Sequence, residues 1–473
     1  MADTLSPRLP PEEIERNFGE LAPALTDAEA LFEANRCVYC FDAPCTRACP
    51  THIDVPAFIK KIASGNLLGS ARVIFDANPV GATCARVCPV EALCEGACVE
   101  HELMHKPIEI GRLQRYATDH VMRSGRDVLR AGEPNGKSVG VVGSGPAGLS
   151  CATYLARLGY EVTVYERKPL AGGLDTYGMA EYKMTQRVST AEAEMVGRLG
   201  VRFRLGVEVG RDVTVEELEG AHDGVFLAVG LGETGRLGIP GEGLEGVYDA
   251  LHVIERIKSR RWETAPVGRA VAVIGAGNTA IDAVTQARRL GAERVMLVYR
   301  RGQAEMPAYE YEYELAKQDA VEFLWQTAPV EVLADESGRR VAGLRCVRTE
   351  PGEPDASGRR SAVPVEGSDF VVPCDTVIKA TGQQKMREFF ARFPGVELDP
   401  AGRVRVEPGT MRTGNPRFFA GGDCVNGGRE AVDASQMGKL AAQGIHLALS
   451  GERVEFAGAR TPLHEETQDL KAH

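Results

Sequence analysis

The sequence lacks the features that mark a membrane protein, an exported protein or a nucleic-acid-binding protein. No apolar run approaches the roughly 18 residues of a membrane span, and the N-terminus has no basic start followed by an apolar stretch. Basic residues are fewer than acidic ones, 55 against 66, and the resulting formal charge of -11 repels a polyphosphate backbone. These absences predict a cytoplasmic protein with neither a membrane nor a nucleic acid as its partner.

Cysteines are plentiful and unevenly placed. Twelve are present, and eight of them lie between Cys37 and Cys98, in a chain without an export pattern, which favours metal binding over disulfides. The first run spaces four cysteines as x2, x4 and x3 before a proline, and the second spaces four as x3, x5 and x3. Both resemble stretched versions of the ferredoxin pattern, whose last cysteine ligates the other cluster. Two [4Fe-4S] clusters are therefore predicted, with zinc ribbons and structural thiols as alternatives.

A glycine-rich turn follows the polar segment at 124–137. The apolar run SVGVVGSGPAG leads into Gly143, Gly145 and Gly148, and a helical pattern and the strand EVTVYE come next. The first glycine allows a tight turn, the second lets the backbone approach a pyrophosphate, and the third permits close helix–strand packing. Glu166 closes the next strand, where an acid accepts hydrogen bonds from ribose hydroxyls. The sequence predicts a dinucleotide site at this turn.

A second strand, turn and helix of the same kind occurs at RAVAVIGAGNTA. The predicted contacts in this turn are made by Gly275, Gly277, Asn278 and Thr279. Arg300 and Arg301 end the following strand, where an enzyme that uses NAD usually carries an acid, and a guanidinium fork suits a 2'-phosphate. NADPH is the predicted coenzyme, and NADH stays open because two arginines also suit a solvated strand end.

Two further features resemble the flavoprotein superfamily that has two dinucleotide-binding domains. Gly173 follows the first βαβ unit, and FFAGGD near the C-terminus ends in Asp423. The resemblance implies that Asp423 holds the ribityl chain of FAD and that the first glycine turn holds the FAD pyrophosphate. A surface acid is the alternative interpretation of Asp423.

The order of these patterns predicts an α/β protein of glutathione-reductase-like architecture. An N-terminal α-helical double [4Fe-4S] domain with its linker is expected at 1–136, and two Rossmann-like dinucleotide-binding domains follow. The FAD-binding domain is expected to be discontinuous, at 137–255 and 385–473, and the NAD(P)H-binding domain to span 256–384. Within that last domain, EPGEPDASGRRSAVP is predicted to be a surface loop.

Residues 25 to 450 as a whole resemble the small subunit of glutamate synthase and its relatives, which include the N-terminal half of dihydropyrimidine dehydrogenase. The x5 spacing in CPVEALCEGAC and the stretches NPVGATCARVCP and PIEIGRLQRY favour the dihydropyrimidine dehydrogenase branch. This resemblance implies an interleaved ligand set with Cys84 as a bystander. One cluster would be held by Cys37, Cys40, Cys45 and Cys98, and the other by Cys49, Cys88, Cys94 and Gln114.

The same resemblance implies a function. NAD(P)H would reduce FAD, and the electrons would pass through the clusters to a partner FMN subunit that reduces uracil or thymine, since this chain contains no FMN barrel. No side chain is predicted to perform acid–base or covalent catalysis. A glutamate-synthase-type electron donor is the first alternative, and the x5 cysteine spacing distinguishes it from the dihydropyrimidine dehydrogenase type. A non-catalytic iron–sulfur scaffold or sensor is the second, and the intact glycine turns speak against it.

Overall fold

The computed structural model describes residues 9–354 and 360–457 of the chain. It divides into two compact units. The larger unit comprises Ala22–Thr176, Lys183–Leu231 and Lys385–His473, and the smaller unit comprises Met1–Leu21, Tyr177–Tyr182 and Gly232–Gln384.

The larger unit begins with short helices that surround the cysteine runs. These helices are α2 (Asp27–Arg36), α3 (Pro44–Ala48), α4 (Val55–Ala63), α5 (Leu67–Ala77), α6 (Gly81–Val87), α7 (Val99–Met104) and α8 (Ile110–Ser124), with a 3₁₀ turn at Val90–Ala92. Polar side chains cap α2, α4 and α5, and apolar side chains recur every three or four residues in the longer helices. In α4, for example, Asp54 accepts a hydrogen bond from the Ala57 N–H, and Phe58, Ile59 and Ile62 are buried.

A five-stranded parallel sheet follows in the same unit, in the order β14-β4-β1-β2-β3. Because all strands run in one direction, their carboxyl ends meet at one edge, where ligands of such sheets bind. The strands are β1 (Ser138–Val142), β2 (Glu161–Glu166), β3 (Arg202–Leu205), β4 (Gly224–Leu227) and β14 (Phe418–Ala420). The helices are α9 (Pro146–Arg157), α10 (Leu174–Tyr177), α11 (Gln186–Gly197), α12 (Val215–Ala221), α16 (Arg387–Phe390), α17 (Asp423–Asn426) and α18 (Ala431–Ser450).

The N-terminal helices and this sheet share one apolar core. Phe75 of α5 and Tyr154 of α9 are both fully buried in it. The Tyr154 hydroxyl donates to the carbonyl of Asp76 at 2.9 Å, and Arg157 forms an ion pair with the Asp76 carboxylate at 2.5 Å. The cysteine-bearing helices are thus packed onto the sheet as part of one unit. The separate iron–sulfur domain at 1–136 stays a prediction.

The smaller unit contains a second parallel sheet, in the order β5-β13-β6-β7-β8, and an antiparallel sheet of β9 to β12. Its strands are β5 (Val247–Asp249), β6 (Ala270–Ile274), β7 (Arg294–Val298), β8 (Glu322–Leu324), β9 (Thr327–Ala334), β10 (Val341–Pro354), β11 (Arg360–Pro364), β12 (Phe370–Pro373) and β13 (Thr376–Lys379). Its helices are α1 (Pro11–Asn17), α13 (Ala250–Lys258), α14 (Asn278–Arg289) and α15 (Glu310–Gln318), with 3₁₀ turns at Trp262–Thr264 and Gln303–Glu305.

Two features of the smaller unit differ from what the sequence predicted. The predicted boundary at 255/256 falls inside α13, and the chain enters this unit at Gly232. The stretch EPGEPDASGRRSAVP was expected to be a loop, whereas β10 and β11 pair antiparallel there, with Glu350 opposite Val363. Both faces of this hairpin are largely exposed, so its sequence does not show the alternation of apolar and polar residues that marks a half-buried strand. Residues 355–359 of the stretch lie outside the described residues.

Candidate cofactor-binding sites

The first glycine turn connects β1 to α9. Gly143 has a φ of +101°, and a Cβ added there would lie 2.4 Å from the carbonyl oxygen of Ala228. A Cβ on Gly148 would lie 2.0 Å from the carbonyl oxygen of Gly143. Since real side chains do not approach a backbone so closely, both positions require glycine for the turn to form.

Gly145 serves a different purpose in the same turn. The nearest atom to a Cβ added there is the Cα of Gly173, at 3.9 Å, so the chain itself leaves this space open. Gly173 has a φ of +57°, and its added Cβ would meet the Cα of Gly145 at 2.7 Å. Two bare stretches of backbone therefore face each other at the N-terminus of the 12-residue helix α9. This is a cradle that a side chain would fill and that suits a pyrophosphate.

Glu166 lies at the carboxyl end of β2, beside this turn. One of its carboxylate oxygens accepts hydrogen bonds from the Ser144 N–H at 3.1 Å and the Ser144 hydroxyl at 2.6 Å. The other oxygen accepts from the Lys168 N–H at 2.8 Å. Ser144 thus fixes the acid next to the cradle, a role that the sequence interpretation missed because a serine within such a turn has no distinctive spacing.

Asp423 is the first residue of α17 and follows Gly422, whose φ is +77°. Burial raises the pKa of its carboxyl group, although the Arg429 N–H donates to it at 3.3 Å. A half-buried carboxylate with one backbone partner has room for hydroxyl donors from a ligand. The residues at the carboxyl edge of this sheet therefore fit FAD, with the pyrophosphate in the cradle and the ribityl chain at Asp423.

The first cysteine set comes together around one pocket of the larger unit. Cys37, Cys40, Cys45 and Cys98 line it, together with apolar side chains. Burial raises the pKa of the Cys45 thiol to about 12, and the neighbouring sulfurs of Cys98 and Cys37 add to the effect. A thiol in such surroundings loses its proton only to a metal, so the donor set fits an iron–sulfur cube.

The second cysteine set is also clustered. Burial raises the pKa of Cys94 well above its usual range, and the nearby sulfur of Cys49 contributes. The pKa of Cys88 is raised well above its usual range by its hydrogen bond with Cys84 and by burial, with a smaller contribution from Cys49. Cys49, Cys88 and Cys94 are partly buried, and all three pack against the same apolar core.

The predicted fourth ligand of this set is not a cysteine. Gln114 lies on α8, which packs on α6, the helix that ends just before Cys88. Its amide nitrogen donates to the carbonyl of Gly81 at 2.7 Å, which fixes the orientation of the amide. The amide oxygen receives no hydrogen bond within the described residues and is free to bind a metal. Coordination by Gln114 stays a prediction.

A single metal ion and a cluster demand different spacings of the thiolates. Across residues 9–354 and 360–457, no three histidine, cysteine, aspartate or glutamate side chains converge where one metal ion would sit. One zinc ion holds thiolates about 2.3 Å from a common centre. A cube places its iron atoms between the thiolates and holds the thiolates farther apart.

The second glycine turn lies in the smaller unit, between β6 and α14. Gly275 has a φ of +131°, and its added Cβ would meet the carbonyl oxygen of Ala380 at 2.3 Å. An added Cβ on Gly277 has nothing within 4 Å, so it occupies the same open position as Gly145 does in the first turn. Asn278 begins α14 and accepts a hydrogen bond from the Tyr309 N–H at 3.3 Å. Thr279 lines the cleft beside the turn.

Arg300 and Arg301 line the same cleft, after the end of β7. The Arg301 guanidinium donates to the carbonyl of Arg360 at 2.8 Å and is held in place by it. The exposed Arg300 side chain has no hydrogen bond or ion pair within the described residues. At the end of β7 the cleft thus offers one anchored and one available cation, which fits a nucleotide phosphate. Arg236 lines the cleft as well and was not singled out from the sequence.

Replacing the available cation is expected to affect NADPH selectively. In Arg300→Ala, the KM for NADPH should rise about ten- to a hundredfold, because a charge-assisted pair contributes about 1.5 to 3 kcal/mol, whereas the KM for NADH should stay constant. Steady-state reduction of a dye with each coenzyme measures both values. Arg261→Ala removes an exposed arginine of the same unit that does not line the cleft, and should change neither value. An equal loss with both coenzymes would contradict this role.

A buried acid holds the start of α6, the helix that precedes Cys88. Glu192 of α11 accepts hydrogen bonds from the N–H groups of Ala82 and Thr83, at 2.7 and 3.1 Å, and from the Thr83 hydroxyl at 2.5 Å. Burial raises the pKa of Glu192 to about 7, and the hydrogen bonds from Thr83 and Ala82 offset part of that rise. No sequence pattern indicates this contact, because the partners of Glu192 lie more than a hundred residues away along the chain.

The raised pKa of Glu192 predicts a pH-dependent stability. The folded state binds more protons than the unfolded state between the unfolded value of 4.5 and the folded value of about 7, so stability falls as pH rises through that interval. Glu192→Gln should match the parent at pH 5 and exceed it by up to about 3 kcal/mol at pH 8. Urea unfolding at both pH values measures this. Glu194→Gln, on the exposed face of the same helix, should show no such difference, and equal pH dependence in both variants would contradict the prediction.

The chain matches two family models and several known proteins. Residues 14–126 match the family model described as dihydropyrimidine dehydrogenase domain II, 4Fe-4S cluster, and residues 137–438 match that of the pyridine nucleotide-disulphide oxidoreductases. The chain is 36% identical over 441 residues to the small chain of glutamate synthase [NADPH] from Escherichia coli, covering 90% of this chain and 93% of that one. It is 35% identical over 453 residues to the NADP(+)-dependent formate dehydrogenase subunit beta of Moorella thermoacetica, covering 90% and 62%.

Among solved structures, the chain resembles Mycobacterium tuberculosis FprA in complex with NADPH, with a TM-score of 0.56 and 21% identity over 72% of this chain and 89% of that one. At this identity the likeness concerns the fold, and it confirms the predicted α/β class with Rossmann-like parallel sheets. No helix within the described ranges is both long and apolar enough to cross a bilayer.

Proposed function

The chain belongs to the glutamate synthase small-subunit-like family, in which an iron–sulfur domain precedes a pyridine nucleotide-disulphide oxidoreductase domain, and we propose that it oxidises NAD(P)H and delivers the electrons to a partner subunit through FAD and two [4Fe-4S] clusters. The observation that carries the proposal is the pairing, in one unit, of a pyrophosphate cradle with two groups of largely half-buried thiols beside one shared core. A protein that only sensed iron would have no use for the cradle.

The residues of the chain bind and position the cofactors, and they perform no covalent step. Bound nicotinamide and flavin supply hydride transfer, and the clusters accept single electrons. Gly145 and Gly173 admit the flavin pyrophosphate, while Glu166 and Asp423 accept from its hydroxyl groups. The half-buried thiols that pack against the apolar core would hold the clusters beside it.

In the smaller unit, Gly277 admits the nicotinamide nucleotide and Arg300 pairs with its 2'-phosphate. This is the arrangement expected of an enzyme that prefers NADPH. The division into an FAD-binding segment and an NAD(P)H-binding segment is part of the same proposal.

The identity of the electron acceptor is a separate part of the proposal. Among the relatives named above, the glutamate synthase small chain favours a large chain that forms glutamate, because the match covers 93% of its own length. They do not support the dihydropyrimidine dehydrogenase assignment that the sequence favoured. A partner FMN subunit that reduces uracil or thymine remains the second candidate, supported by the x5 cysteine spacing and by the description of the matched iron–sulfur domain.

The loop that carries Cys37 and Cys40 has a surface suited to such a partner. Phe41 is fully exposed, and Val38, which lines the cysteine pocket, is 54% exposed. Exposed apolar side chains beside a redox centre mark a contact with a protein that approaches it closely. The occupant of this surface is the electron-accepting subunit.

Phe41→Ser is expected to weaken association with the partner at least about tenfold, because an exposed aromatic side chain at the centre of an interface contributes strongly to binding. Reduction of a dye by NADPH should stay unchanged, since Phe41 touches neither nucleotide turn. Val371→Ser removes an exposed apolar side chain from β12 and should affect neither measurement. Binding by Phe41→Ser equal to that of the parent would contradict this surface.

The direct test of the acceptor combines the purified chain with each candidate partner from the same organism and measures the product formed from NADPH. Glutamate would support the first partner, and dihydrouracil the second. The isolated chain should reduce dyes but form neither product. If the chain reduces dyes but forms neither product with either partner, both partner assignments are wrong, whereas its role in accepting electrons from NADPH stands. A purified chain without flavin would revive the scaffold alternative.

A further inference from the structure

A tight turn follows the last cysteine of the first run. The His52 N–H donates to the Cys49 carbonyl at 2.8 Å, so Pro50 and Thr51 occupy the middle of a four-residue turn. The Thr51 hydroxyl lies 3.4 Å from the Cys49 sulfur, at hydrogen-bond distance. Thr51 is completely buried, and its hydroxyl has no other hydrogen-bond partner within the described residues. A buried hydroxyl is thus paired with the sulfur of a predicted cluster ligand.

The direction of this hydrogen bond follows from the chemistry of the ligand. A thiol and a hydroxyl can each donate to the other. Once Cys49 binds iron, its sulfur carries no proton and can only accept. The hydrogen between the two atoms then belongs to Thr51, and no second acceptor in the part of the chain that the structure describes competes for it.

A buried lysine holds the backbone of the same residue. Lys439 of α18 is completely buried, and its amine donates to the carbonyl of Thr51 at 3.1 Å and to that of Ala457 at 2.9 Å. Burial lowers the pKa of this amine to about 7, but an amine carries at least two N–H groups in either protonation state, so both bonds persist. Thr51 is therefore anchored to the helix that follows Asp423.

We propose that Thr51 is a positioning residue that donates an O–H hydrogen bond to the iron-bound sulfur of Cys49 and raises the reduction potential of that cluster, with Lys439 fixing the Thr51 backbone. This inference rests on the proposed function, in which Cys49 is a cluster ligand. A donor to a ligand sulfur stabilises the reduced cluster, which carries more negative charge than the oxidised one, and so raises its potential. Since α18 packs on α9 beside the parallel sheet, the flavin-binding fold helps to set this potential.

The test is an EPR-monitored redox titration of anaerobically prepared holoprotein, together with iron analysis. Thr51→Val keeps the shape of the side chain but removes the hydroxyl. It should hold the iron of the parent and make the reduction of one cluster up to about tenfold less favourable, which is a negative shift of about 59 mV for one electron. The affected cluster should be the one whose signal Cys94→Ala removes, and the other should keep its potential. Thr51→Ser retains a donor and should restore the potential toward that of the parent.

Two further variants complete the test. Lys439→Met removes the anchor of the Thr51 carbonyl while keeping an unbranched side chain, and it should shift the same cluster in the same direction. Thr153→Val is the matched control, because it removes another completely buried hydroxyl, which donates to the carbonyl of Leu149 at 2.8 Å within α9. This control should shift neither potential.

Several outcomes would overturn the inference. Full iron with an unchanged potential in Thr51→Val or in Lys439→Met would deprive the contact of its effect, and an equal shift in Thr153→Val would make the effect a general one of the fold. Loss of iron from both variants would mean that the contact holds the cluster rather than tunes it. If Thr51→Val alone lost iron, Lys439→Met would decide by the same criterion. A parent protein without clusters would overturn the proposed function itself, and iron analysis of the parent identifies that case.

Discussion

Gly145→Ala is expected to yield a folded protein that does not retain flavin. The residue has an ordinary φ of -67°, and the nearest atom to the added methyl group would be 3.9 Å away, so the fold itself accommodates the change. The methyl group would occupy the space in which a pyrophosphate approaches the backbone. Flavin affinity should fall at least about tenfold, which corresponds to about 1.4 kcal/mol.

Flavin content per chain, read from the absorption of protein purified in excess FAD, measures this effect, and circular dichroism reports the fold. Gly277→Ala makes the equivalent change in the second turn and should keep flavin while losing NADPH binding. Gly220→Ala adds a methyl group to a position of α12 that also has nothing within 4 Å, and should change neither cofactor. Full flavin content in Gly145→Ala would contradict the assignment of the first turn.

Removing one cysteine from each predicted set is expected to remove one cluster at a time. Cys45→Ala should abolish the cluster in the pocket that also includes Cys98, and Cys94→Ala should abolish the other, because a missing thiolate leaves an iron atom without its protein ligand. Each variant should hold about half the iron and sulfide of the parent, and each should still bleach its flavin with NADPH, since hydride transfer precedes the clusters.

Iron, sulfide and EPR measurements on the two variants decide between interleaved and sequential ligand sets. Cys98 lies in the second run of the sequence but belongs to the first predicted ligand set. Cys98→Ala should therefore lose the same EPR signal as Cys45→Ala. Cys374→Ala, which removes a buried thiol of the smaller unit, should keep all of the iron. If Cys98→Ala instead lost the signal missing from Cys94→Ala, the sets would follow the order of the sequence and the interleaving would be wrong.

The glycine turns could be predicted from sequence because their requirements are local. Gly143 and Gly275 have positive φ, and Gly148 lies too close to the preceding turn to carry a side chain. Neighbouring residues therefore determine the strand, the turn and the helix. The cysteine sets differ in this respect. Spacing predicted clusters, but only the family resemblance joined Cys98 to the first run, and the pocket in the structure contains that combination.

Contacts between distant segments were beyond the reach of sequence patterns. Glu192 and Ser435 lie on buried helix faces, where a 3.6-residue period predicts burial but does not say what a polar side chain will meet. The partner of Ser435 is Asn78, which lies 357 residues earlier in the chain. The same limit applies to the shared core, because no residue pattern near position 136 indicates that α5 will pack on α9.

The central claim is that one chain holds flavin and two clusters and accepts electrons from a nicotinamide. Anaerobic purification followed by iron, sulfide and flavin analysis, and then by titration with NADPH and NADH, tests it most directly. The account predicts one FAD and about eight irons per chain, with NADPH bleaching the flavin and the cluster absorbance together. Zinc in place of iron, or a protein that binds no flavin, would contradict it.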